Sequence, residues 1–153
     1  MTRIRVSILV LLVAASLAAI TGPAFAAKDE SLDQLMARAD SARPEDRSAL
    51  YLEIAHQKAE AADKLYQTGN AEAGNAALQD VLAFSKKATD ASIDTGKKLK
   101  NTEIALRKMA EKFRDIKRTV AFEDQAPIQQ TMDELEKMRT DLLSAMFGKK
   151  KTK

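Results

Sequence analysis

Cysteine and tryptophan do not occur in the 153 residues, histidine occurs once, proline three times and glycine five times. Without cysteine no disulfide can brace the fold, no thiolate can hold zinc, and no lipid can be attached to an N-terminal cysteine. One histidine cannot supply the paired Glu-x-x-His motifs of a di-iron bundle. Five scattered glycines provide no phosphate-cradling loop and no glycine-bounded nucleophile elbow. What the chain does have is alanine, leucine and charge in helical spacing, with no proline between Pro44 and Pro127.

The first 26 residues read as a secretory signal. Arg3 and Arg5 make a short basic start, Val6 to Ile20 is an apolar run, and Ala24-Phe25-Ala26 is an A-x-A cleavage site after Gly22-Pro23. The run is short for a span of about 20 residues, so cleavage after Ala26 is expected rather than anchoring. The predicted organisation is a signal peptide over 1–26, one α-helical domain over 27–148 and a basic tail over 149–153. The chain is then exported, to the periplasm or beyond it. Removing Arg3 and Arg5 leaves 23 Lys and Arg against 22 Asp and Glu, and setting aside the four lysines of the tail leaves 19 against 22. The basic isoelectric point therefore belongs to the two ends and not to a nucleic-acid-binding face.

One apolar seam dominates the remainder. Leu78, Val81, Ser85, Ala88, Ser92, Thr95, Leu99, Thr102, Leu106, Met109, Phe113, Ile116 and Val120 follow each other at steps of three and four. A period near 3.5 keeps these side chains on one face of a helix. The pattern predicts a long central helix over about 71–120, roughly 75 Å if straight. A hinge at Gly96 would instead fold the same pieces into a compact bundle of three or four helices. A lone glycine costs only about 1 kcal/mol within a helix, so continuity is the primary expectation.

Antiparallel helices are expected on each half. Pro44-Glu45-Asp46 starts a helix over about 44–67, which ends at Thr68-Gly69-Asn70. Folding back there places Ala62 opposite Leu78, Ala59 opposite Val81, Ala55 opposite Ser85, and Leu52 opposite Ala88. A last helix over about 126–147 places Ile128, Leu135, Met138 and Leu142 opposite Val120, Phe113, Met109 and Leu106. It is acidic where residues 97–118 are basic, which predicts that the two charge sets answer each other across the pair. A short cover helix begins near Leu32.

The stretch from Ala61-Ala62-Asp63-Lys64-Leu65-Tyr66 through Gly69-Asn70 to Ala73-Gly74 resembles the middle of a tetratricopeptide helix pair, one degenerate unit over about 50–84. The resemblance implies a helical-hairpin scaffold that binds protein. One unit alone cannot form the usual concave groove.

Candidate chemistry is thin. Glu53, His56 and Glu60 lie on one face, but a single histidine beside acids reads as a surface residue. No catalytic, cofactor or metal site is predicted, and the chain reads as a non-enzyme. The apolar residues off the seams are the functional lead: Leu82, Phe84, Ile93, Ile104, Met132, Leu143, Met146 and Phe147 are either further core or a surface for a protein partner or a second copy. The expectation is an exported α-helical interaction or scaffold module of the bacterial envelope, without nucleic acid. The alternative is a peripheral membrane-surface protein using the last helix and the lysine tail.

Overall fold

A computed structural model describes residues 30–148. The signal segment and lysine tail expected from the sequence lie outside the described residues. Within them the fold is all-α: α1 (Leu32–Ser41), α2 (Pro44–Gln67), α3 (Ala71–Thr95), α4 (Leu99–Thr119) and α5 (Gln125–Phe147), with a 3-10 turn over Phe122–Asp124.

Each helix starts and stops for local reasons. At α1 the Ser31 hydroxyl accepts from Gln34 N–H while the Gln34 side chain returns a bond to Ser31 N–H, a reciprocal cap that satisfies two otherwise orphan donors. Pro44 occupies the first turn of α2 with Glu45 and Asp46 beside it. Gly69 takes φ +75° to turn the chain, and Asn70 then caps α3 by accepting from Ala73 N–H. α5 begins at Gln125, two residues before the proline, because the preceding 3-10 turn already directs the backbone into it.

The seam does not run through one helix. Gly96 adopts φ +66° and ends α3 in a left-handed cap, and Lys98 adopts φ +56° before α4 begins. The Thr95 hydroxyl fastens this corner by donating to the Ala91 carbonyl and accepting from Lys97 N–H. The expected straight helix over 71–120 is thus corrected to two helices, and the hinged, compact arrangement is the one observed. The pattern could not separate the two: residues 96–98 replace one helical turn, so the three-four register of the seam is unchanged while both halves face the same core.

α2 packs most extensively on α3, and α4 on α5; the two hairpins meet through α3 against α5 and, less extensively, through α2 against α4. The result is a four-helix bundle of two antiparallel hairpins packed side by side, α3 beside α5 and α2 beside α4, with α1 laid along α2. Its main core joins Ala55, Ala59, Ala62, Leu78 and Val81 to Leu106, Phe113, Ile128, Leu135 and Leu142, all fully buried. A smaller cluster unites Leu35 and Ala39 of α1 with Ile54 of α2. The α2/α3 register follows the expected one to its far end: Ser48 meets Ser92, one helical repeat beyond Leu52 and Ala88, at 2.6 Å.

That contact belongs to a closed group at the hinged end of the bundle. Ser48, Ser92 and Thr102 come from three different helices, are all buried, and lie 2.6, 2.7 and 2.9 Å apart, hydroxyl to hydroxyl. Each hydroxyl carries one donor and can accept from a neighbour, so three of them satisfy one another in a ring. At the opposite end Tyr66 packs its ring on Gly74, where a Cβ would meet ring carbons at 3.0 Å, and donates to Asn75 Oδ1. Burial, with the nearby Asp124 charge adding to it, raises the Tyr66 phenol to about 12, so it remains a donor.

Candidate functional site

The eight off-seam apolar residues separate into two groups. Leu82, Phe84, Ile93 and Met132 are half-buried and pack against the main core. Phe84 also meets Tyr51, with ring centroids 6.4 Å apart, and Lys87 lies over both rings. Ile104 and Met146 are half-buried. Leu143 is 40% exposed and Phe147 74% exposed, and both lie in the last two turns of α5. Besides these, the one large apolar side chain left in solvent among the described residues is Phe122, in the turn before α5.

The predicted answering of charge between α4 and α5 is not how the bases are used. The ion pair between these helices runs the other way, from Arg139 of α5 to Glu103 of α4 at 2.6 Å, both side chains being largely buried. Arg139 also holds Glu136 on its own helix. Burial alone would lower the Arg139 pKa, but Glu136 and Glu103 raise it overall. On α4, Lys112 turns to α2 and reaches Glu60 at 2.7 Å and Asp63 at 3.2 Å. The Lys112 hydrogen bond holds the Glu60 carboxyl below its usual range. Lys98 faces Asp46, Lys117 donates to Gln129, and Arg118 pairs with Asp115. Lys97, Lys100, Arg107, Lys108 and Arg114 have no carboxylate partner among the described residues. The charge pattern indicated only that opposite signs lay on adjacent helices. Which bases reach a partner depends on where each side chain leaves the helix, and these five leave it toward solvent.

His56 is exposed on α2, with Nε2 3.7 Å from Glu60 Oε1, while Glu53 lies 3.9 Å from Arg38. The three residues single out no centre: among the described residues no group of three or more His, Asp or Glu is placed to hold a metal ion. His56 instead borders an open groove of about 300 Å³ between α2 and α4, floored by Leu52, Ala105 and Met109. None of the described helices is long and apolar enough to cross a membrane.

Two features escaped the sequence reading. The Ser31-x-x-Gln34 spacing is itself a capping-box signal for the start of α1. Ser48 carried no signal of its own, because its two partners come from helices brought together only by the fold. Compared with protein-family models, with curated proteins and with solved structures, the chain gives no match.

Proposed function

We propose that this chain is an exported, non-enzymatic α-helical module of the bacterial envelope that works by protein–protein contact. The observation that carries the reading is the pair Leu143 and Phe147, one turn apart on α5 and held in solvent. Apolar side chains paired in this way, on a bundle that draws most of its other off-seam apolar residues inward, fit a contact surface better than a core. The α2/α3 hairpin, with its Gly69-Asn70 turn and close Tyr66–Gly74 packing, supports its reading as one tetratricopeptide-like unit used as scaffold. Affinity capture from envelope extracts tests the proposal. A partner enriched on the wild-type chain and lost on Leu143→Ser/Phe147→Ser is expected; no partner above background contradicts it.

A second reading has the same end of α5 resting on anionic lipid. It is favoured by the exposure of Phe147 immediately before Gly148 and the sequence Lys149-Lys-Lys-Thr-Lys153, since each lysine near such a surface contributes about 1 kcal/mol. Binding to phosphatidylglycerol vesicles at low salt is its expected result, and indifference to them contradicts it.

A further inference from the structure

The Glu103–Arg139 ion pair marks the flank on which α4 and α5 face each other at the surface. Helical periodicity then places other side chains along that flank. Leu143 follows Arg139 by one turn and Phe147 by two, so both continue its row on α5. On α4, Lys100 and Arg107 lie three residues before and four residues after Glu103, on the same side, and both are exposed. Because α4 and α5 are antiparallel and Glu103 meets Arg139, Lys100, one turn before Glu103, lies toward Leu143, and Arg107, one turn after Glu103, lies on the other side of the ion pair. The flank therefore joins two exposed apolar side chains to two bases that have no carboxylate partner among the described residues.

We propose that this α4/α5 flank binds an acidic amphipathic helix of a partner protein, which rests on the protein-contact reading above. The shallow furrow between two antiparallel helices accepts a third helix lying along it. Leu143 and Phe147 take the partner's apolar stripe, and Lys100 and Arg107 take carboxylates beside that stripe. Charge complementarity selects an acidic partner. Lys100 and Arg107, seven residues apart on one face of α4, and Leu143 and Phe147, four apart on α5, form two adjacent rows at the spacing of the charged and apolar stripes of an amphipathic helix.

The test uses the chain from Ala27 to Lys153, which keeps every described helix, and a fluorescently labelled 21-residue peptide of leucine and glutamate with leucine at three-four spacing. Controls are a scrambled peptide of the same composition, polyglutamate, and phosphatidylglycerol vesicles. The helical peptide is expected to bind at least tenfold more tightly than the scrambled one. Lys100→Glu/Arg107→Glu, and separately Leu143→Ser/Phe147→Ser, are expected to weaken it at least tenfold with circular dichroism unchanged. These four side chains lie outside the core, so the variants keep the fold. Equal affinity for scrambled peptide or polyglutamate overturns the proposal, as does binding to vesicles alone, or no binding. If a partner captured from envelope extracts is retained equally by Lys100→Glu/Arg107→Glu, the protein-contact reading survives and this flank is ruled out.

Discussion

The two hairpins of the bundle are built by opposite means. α2 presents Ala55, Ala59 and Ala62 to Leu78, Val81, Ser85 and Ala88 of α3, a small residue in each pairing, whereas α4 and α5 bring together the large Leu106, Met109, Phe113, Leu135 and Leu142. Small residues let two backbones approach until main-chain atoms provide the contact; large ones fill the gap with side-chain volume. The difference extends to charge. The first hairpin pairs Lys58 with Asp80 at 2.7 Å and Lys86 with Asp90 at 2.8 Å, and its Glu60 and Asp63 take Lys112 from α4. The second leaves Lys100 and Arg107 facing solvent beside Leu143 and Phe147. A closely packed hairpin whose acids take bases from its own helices and from α4 is suited to holding the architecture, and a hairpin with solvent-facing bases beside exposed apolar groups is suited to meeting something else.

The contrast predicts unequal responses to substitution. Leu135→Ala removes a fully buried side chain from the volume-filled hairpin and should cost about 2–5 kcal/mol in urea unfolding. Ala59→Leu does the reverse in the close-packed hairpin, adding three carbons at a fully buried position, and should cost about 1–3 kcal/mol. If Ala59→Leu proves neutral, α2 and α3 are not in close approach and the distinction fails.

The buried hydroxyls sharpen it further. Ser92→Ala opens the three-membered ring and should destabilise by about 1–2 kcal/mol. Ser85 is buried with no hydrogen-bond partner among the described residues, so Ser85→Ala should be neutral or stabilise by up to about 1 kcal/mol. Both changes delete one hydroxyl from the same seam, and the account requires them to differ. Replacing the whole ring, as Ser48→Ala/Ser92→Ala/Thr102→Val, should cost less than the sum of its parts, because no donor is then left unpaired.

The smallest effect concerns pH. The Glu60 carboxyl is held below its ordinary value of 4.5 by Lys112. Its contribution is complete above that value and is lost as pH falls through the lower folded-state value. Glu60 is well exposed, so the loss should be under about 1 kcal/mol. Glu60→Gln should remove that part of the acid dependence and leave neutral stability nearly unchanged.

Much of the architecture was legible because it is local. Pro44, Gly69-Asn70 and the three-four seams each act within one or two helical turns, and they define the helices and the α2/α3 register. The corner at Gly96 was not legible, because a seam of period 3.5 looks the same whether its halves continue or fold onto one core. Left-handed φ at Gly96 and Lys98 is a tertiary outcome, stabilised by the Thr95 bonds and by burial of both halves. Of the candidate surface, Leu143 and Phe147 stayed outside, while Leu82, Phe84, Ile93 and Met132 were drawn inward by neighbours the pattern could not place. The unanswered bases of α4 were misread for a similar reason: sign was visible in the sequence, direction was not.

The fold-back at Gly96–Lys98 places α4 and α5 beside the first hairpin and closes one core between the two hairpins. Small-angle X-ray scattering on the chain from Ala27 to Lys153 tests it most directly. A compact chain of this length has a radius of gyration of about 14 Å, and the longest observed helix is about 38 Å at 1.5 Å per residue. A monomer near the first value, no longer than a bundle built on the second, is the predicted result. A monomeric rod approaching the roughly 75 Å of an unbroken 71–120 helix would contradict the account.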